Sequence, residues 1–173
     1  MTRFGAMLAP ATVAACIALS SGSAPASADS PVPQAGTSCS AALSGAMTAL
    51  PDRGGYLVCQ GEPNASNNWV PVVEPFPPND KWLSYGPAMT LHGEGLRNPN
   101  LSSGQWTATP QDPGATCTAE QVTVVRAGVV APPEVSAGEQ GQPLSLEVLP
   151  RLFSIKLSGD CLWSQDQVAG ADR

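Results

Sequence analysis

His92 is the single histidine of the chain, and Leu91-His92-Gly93-Glu94-Gly95 sets it two residues from a carboxylate. If that stretch is extended, both side chains fall on one face. A base beside an acid, or two ligands of a metal, are the chemistries the pattern suggests. Either needs more than it holds. A metal site needs three or four ligands, and no second histidine exists to complete one. A serine nucleophile on a strand–helix elbow needs G-x-S-x-G, which is missing. The carboxylates Asp80, Glu94, Asp112 and Asp160 each stand near turn residues. A glycosidase pair would require two of them about 5–9 Å apart, and nothing in their spacing predicts it. The default for His92 is therefore a polar residue at a strand end. A hydrolase of envelope polymers using His92 with Glu94 or Asp80 is kept as an alternative. No cofactor and no metal are expected.

The cysteines are the second group with chemistry. Cys16 lies in an N-terminal segment with the layout of an export signal. Residues 1–3 are short and positive, 4–19 are apolar and small, and 20–28 turn polar and end Ala26-Ser27-Ala28, the A-x-A pattern of signal-peptidase sites. Asp29 is the expected mature start. Val13-Ala14-Ala15-Cys16 also has the form of a lipobox, which would anchor the chain through a lipid on Cys16, but the apolar run continues past the cysteine at Ile17-Ala18-Leu19. Free release is preferred, and an anchored carrier of an apolar ligand is the other alternative. Cys39, Cys59, Cys117 and Cys161 remain. Their spacing contains no C-x₂₋₄-C unit, so in an oxidising compartment they read as two disulfides rather than a zinc site.

The aromatics are the third group. Trp69 and Phe76 lie in a proline-rich stretch, with Trp82 and Tyr85 just after it. Rings on a proline-stiffened loop can stack on sugar faces or accept an extended peptide. The competing reading makes them anchors that pin the loop to the core. The candidate ligand site is Trp69, Phe76, Trp82 and Tyr85.

These residues must be positioned by elements readable from periodicity. Leu43, Met47 and Leu50 fall at helical spacing, so residues 38–50 are expected to form one N-terminal α-helix, stopped by Pro51 and Gly54-Gly55. Residues 55–60 follow as a strand. The helix would advance about 16 Å and the strand return about 13 Å, which brings Cys39 back to Cys59 at disulfide distance. Cys117 then pairs with Cys161. Residues 62–80, with five prolines and with Asn64, Asn67 and Asn68 adding turn character, are expected to be loop. Strands are expected at 81–91 and 105–109, with a loop at 93–104. Val122, Val124, Val125, Val129 and Val130 mark a β-branched run at 121–130. Leu144, Leu146 and Val148 alternate with polar residues. From Phe153 the odd positions Phe153, Ile155, Leu157, Cys161 and Trp163 describe one buried face of a long strand.

Short strands about ten residues apart, joined by Gly/Pro turns, predict a mainly β domain built as an antiparallel β-sandwich. Gly138-Glu139-Gln140-Gly141-Gln142-Pro143-Leu144-Ser145-Leu146 resembles the glycine turn and L-x-L strand of immunoglobulin-like domains. Trp163 follows Cys161 instead of lying between the paired cysteines, which departs from antibody domains. The Ala/Pro/Gly-rich style, A-x-A signal and paired cysteines resemble small exported actinobacterial proteins.

The expected organisation is a signal peptide at 1–28, a tail at 29–37, one domain at 38–165 and a tail at 166–173. A formal net charge of −6 without clustered cations excludes nucleic acid and anionic lipid as partners. No apolar run after the signal reaches the ~18 residues of a membrane span. The expected product is a secreted, monomeric, non-enzymatic binding module of the cell envelope or extracellular space. Its expected partner is an envelope glycan or protein.

Overall fold

The computed structural model describes residues 1, 31–51, 54–61, 66–73 and 77–166. The signal segment beyond Met1, Cys16, Asp29, Phe76 and the tail after residue 166 lie outside the described residues. Those described are mainly β. In chain order the strands are β1 (Met47–Ala49), β2 (Tyr56–Gln60), β3 (Asn68–Val72), β4 (Lys81–His92), β5 (Gly104–Pro110), β6 (Thr118–Arg126), β7 (Val129–Val130), β8 (Glu134–Ala137), β9 (Leu144–Val148) and β10 (Leu152–Gln165). No helix among them is long and apolar enough to cross a membrane.

The strands join into one open, mixed sheet instead of two separate antiparallel sheets. The order β3-β2-β1-β4-β10-β5-β9 runs along it, with β6 branching from β10 and carrying β7 and β8. All pairings are antiparallel except β1 with β4, which meet in parallel at Met47 and Trp82. The branch arises in β10. One edge of this strand pairs with β4 from Ser154 to Ser164. Its other edge pairs with β6 as far as Ser158 and with β5 from Cys161 onward. The handover falls at Gly159, which has φ +91°. A Cβ there would sit 2.2 Å from the Thr116 carbonyl oxygen, so only glycine allows both the backbone angle and the close approach. β4 bends with it, through a bulge opposite Leu157–Gly159.

The expected N-terminal α-helix is replaced by a single 3₁₀ turn, Ala41–Leu43, and strand β1. Gly45, at φ +79°, breaks the helical path. β1 then gains what an isolated helix lacks: ladder bonds to β2 and a buried Thr48 hydroxyl that donates to the Leu83 carbonyl at 2.8 Å. Tertiary pairing overrides a weak local propensity. The expected loop at 62–80 also contains a strand. β3 pairs with β2 over five residues despite Pro71, because β3 is an edge and Pro71 need not donate there.

The main core lies on the inner face of the bent sheet. Trp82, Trp106, Trp163, Leu91, Ile155 and Leu157 are at its centre. A smaller cluster of Leu57, Cys59, Trp69 and Leu83 occupies the outer face of β2, β3 and β4, under Cys39, Leu43 and Leu50. β4 is thus buried on both sides there, and Trp82-Leu83 has an apolar side chain on each. Leu152 is buried and Phe153 exposed. The expected inward position of Phe153 is corrected by a register irregularity between Leu152 and Ser154. From Ile155 on, the alternation runs as expected.

The disulfides are Cys39–Cys59 and Cys117–Cys161, with Cα separations of 6.0 and 5.9 Å. The first pairing is the expected one, but no helix produces it. Residues 36–39 run along β3, where Trp69 N–H donates to the Thr37 carbonyl and Cys39 N–H to the Asn67 carbonyl, each at 2.9 Å. The chain then crosses the outer face of β2, where Cys59 waits. Cys117–Cys161 ties the start of β6 to β10 just past Gly159.

Candidate functional site

The structure separates most of the residues that the sequence singles out. Trp69 packs in the outer cluster and Trp82 in the main core, with 5% and 0% of their surface exposed. Neither offers a ring face for stacking. Among the described residues, Trp82 Nε1 is also buried without a hydrogen-bond partner. Tyr56 meets Trp82 edge-on, with ring centroids 6.0 Å apart. Tyr85 is buried too, and its hydroxyl donates to the Ala49 carbonyl at 2.9 Å. Burial pushes the Tyr85 phenol above its ordinary range, which keeps it protonated as that donor.

His92 ends β4 with an exposed side chain. Its backbone N–H donates to Asn100 Oδ1 at 2.8 Å, and its carbonyl accepts from Asn100 N–H at 2.8 Å. Glu94 is engaged elsewhere: its carboxylate accepts from the Ser103 hydroxyl at 2.7 Å. Asp80 contributes its backbone carbonyl, which accepts from Gln165 N–H. No contact joins His92 to Glu94 or Asp80 among the described residues. Nor does any group of three His, Cys, Asp or Glu there stand ready for a metal ion.

The feature that sequence reasoning missed is an opening at the end of β1. β1 covers the edge of β4 only near Trp82. At Ala49–Pro51 it turns away towards β2, while β4 runs on to His92. A cleft of about 350 Å³ results, lined by Leu50, Tyr56, Tyr85, Ala88, Met89 and Thr90. Its walls come from both faces of the sheet: Tyr56 and Met89 belong to the inner side, whereas Tyr85 reaches back under β1. The cleft therefore opens at the strand edge itself. Among the described residues, Tyr85 is the one expected site residue that lines it. It also borders a second open cleft of about 640 Å³ beneath residues 31–34, with Trp69 and Asp160 in its wall.

The edge has a definite polarity. The His92 N–H and carbonyl point away from β10, as their bonds to Asn100 require. Along an antiparallel strand these directions alternate, so Leu91 faces β10 and Thr90 faces outward again. Thr90 pairs across the ladder with Lys156, and its N–H and carbonyl meet no strand on the cleft side among the described residues. Local composition could hint at Tyr56, Tyr85 and Met89 as a cluster, but not at a strand that ends early beside them.

Another exposed apolar cluster among the described residues surrounds the β6–β7 hairpin, where Leu96, Val129, Val130 and Phe153 border a third cleft. Comparison with family models, curated proteins and solved structures gives no match to this chain.

Proposed function

We propose that the chain is an exported, non-enzymatic binding module and that its contact site is the cleft between the end of β1 and the edge of β4. The observation that carries this reading is the cleft's makeup. Apolar surface from Tyr56, Met89 and Leu50 adjoins the outward N–H and carbonyl of Thr90, which meet no strand on the cleft side among the described residues, a combination typical of binding sites. Ligand contact moves from the expected Trp69 and Trp82 to this cleft, with Tyr85 kept as its inner wall. Export rests on the 1–28 signal pattern together with two disulfides, which persist in oxidising compartments. The A-x-A signal and composition support an actinobacterial style of protein. The glycine turn and L-x-L strand at β9 support an immunoglobulin-like kinship.

The test uses immobilised protein over envelope extract and isolated envelope glycan. Ala88, exposed at the cleft mouth, is replaced by Trp to fill it. Ala88→Trp should lower retention by about tenfold, with a melting temperature within a few degrees of the parent, because an exposed substitution changes stability little. His92→Ala should change neither. Retention that is unaffected by Ala88→Trp would remove the cleft from the reading.

A further inference from the structure

Three pieces of chain meet at one end of the sheet. β4 ends there and continues into Gly95-Leu96-Arg97, β10 begins there after Arg151, and β6 leaves β10 there. Backbone bonds tie them together: Gly95 N–H donates to the Leu152 carbonyl at 2.8 Å, and Val124 N–H to the Arg151 carbonyl at 2.9 Å. The last pairing of β6 with β10 is Thr123 with Leu152. Past it, β6 and β7 project as a two-stranded ribbon closed by Ala127-Gly128. Two strands alone are marginal in water, and this pair keeps Val125, Val129 and Val130 exposed. Val129 and Val130 are consecutive, so they leave opposite faces of the ribbon. Leu96 and Phe153, also exposed, face it across the third cleft, of about 350 Å³.

Three exposed arginines surround these side chains. Arg126 lines the cleft, Arg97 follows Leu96, and Arg151 donates from Nη2 to the Val125 carbonyl at 2.6 Å. None has a carboxylate partner among the described residues, where the single ion pair is Lys156–Glu120. Glu94, just before the loop, is held by the Ser103 hydroxyl. In the sequence the three arginines stand more than twenty residues apart. The exclusion of anionic lipid rests on that scatter, and the fold removes its premise at this end of the molecule.

We propose that this end docks on an anionic lipid surface, with the β6–β7 ribbon inserted among the headgroups. A projecting ribbon with apolar side chains on both faces is covered completely by a medium that surrounds it, whereas a flat protein surface covers one face. The apolar tip would reach about 5–10 Å into the interface, and the guanidinium groups behind it would pair with lipid phosphates. The chain's charge of −6 repels the rest of the molecule from the same surface, which leaves one docking orientation. A second copy fits less well, since two such ends would set arginines against arginines. The ribbon and the cleft between β1 and β4 share no lining residue, so this inference and the cleft reading stand or fall separately.

The probes are vesicles of phosphatidylcholine alone or with an equal part of phosphatidylglycerol, co-sedimented with residues 29–173. Residues 1–28 are left out because their apolar run would bind lipid by itself; the strands and both disulfides lie within 29–173. The protein should pellet with the mixed vesicles and about tenfold less with phosphatidylcholine, and added salt should release it. Arg126→Gln should weaken partition about fivefold, and Val130→Asp about tenfold. Lys156→Gln removes the same charge from the middle of β10 and should change it by less than about twofold. All three positions are exposed, so the fold should survive each change. The four native tryptophans are buried, so Val129→Trp adds an exposed indole whose emission should shift to the blue on mixed vesicles. Equal pelleting with both vesicles, no pelleting with either, or an unmoved Val129→Trp emission overturns the proposal. Equal losses in Arg126→Gln and Lys156→Gln overturn it too, because total charge would then account for the attraction. If the free protein sediments as a dimer that Val130→Asp dissociates, the ribbon belongs to a second copy and lipid docking falls.

Discussion

Two tryptophans that look alike in the core differ in one hydrogen bond. Trp163 Nε1 donates to the Ser84 hydroxyl at 2.9 Å, and Ser84 in turn lies 3.3 Å from the Cys161 carbonyl. Trp82 Nε1 has no partner among the described residues. Replacement by Phe removes similar volume at both sites. Trp163→Phe also takes from the Ser84 oxygen, at 0% exposure, the donor from which it accepts, whereas Trp82→Phe removes an unsatisfied donor. Trp163→Phe is therefore expected to destabilise by about 1 kcal/mol more than Trp82→Phe, read by denaturant unfolding. Equal losses would mean that the Trp163–Ser84 bond contributes nothing net. The same burial explains why an aromatic cluster in sequence did not mark an exposed site. Trp82 lies on a strand covered on both faces and Trp69 is buried in the outer cluster, so both rings are used up in packing.

The long strand β10 is the element that organises the sheet, and its glycine is its hinge. Gly159 lets the strand leave β6 and join β5 without breaking its pairing with β4. Gly159→Ala would force a Cβ against the Thr116 carbonyl in a left-handed backbone. The expected cost is several kcal/mol, out of a total stability of about 5–15 kcal/mol for such a domain. Thermal unfolding of Gly159→Ala beside Gly128→Ala checks it. Gly128 also has positive φ, but open space around its Cβ, so its replacement should cost only the backbone term, about 1 kcal/mol. Similar melting of the two variants would show that β10 accommodates the clash by shifting Thr116. The β10 alternation from Ile155 to Trp163 was readable because one face is buried and side chains repeat every second residue. The position of Phe153 was not, since a bulge changes the register without changing composition.

For the whole molecule the two disulfides have different tasks. Cys117–Cys161 joins β6 to β10 in the main core across a separation of 44 residues. Cys39–Cys59 closes 20 residues and pins the outer segment over β2. Each is expected to contribute about 3–4 kcal/mol by loop entropy. Their removal should be distinguishable by hydrogen exchange. Cys39→Ala with Cys59→Ala should speed exchange at Cys39, Gly45 and Trp69, whose amides bond within that layer, and leave β10 protected. Cys117→Ala with Cys161→Ala should raise exchange through β10 and β6 together. Uniform loss of protection in both variants would mean that the outer layer and the main core unfold as one unit.

The cysteine pairing matches the expectation, although the helix from which it was argued does not form. The sequence alone determined the β-rich class and the buried face of β10. These follow from residue type and short-range periodicity, which survive in any arrangement of the strands. It pointed to a helix at 38–50 because Leu43, Met47 and Leu50 repeat at helical spacing. Only the tertiary structure could reject it, since β1 exists through bonds to β2 and β4 that lie far along the chain. The one open sheet was likewise decided by Gly159, where β10 changes neighbours. The cleft was decided in the same way. Its walls come from β1, β2 and β4, and its defining feature is where a partner strand stops. A strand's end relative to its neighbour is set by long-range register, and no local pattern in Ala49–Pro51 or in Ala88–Thr90 encodes it.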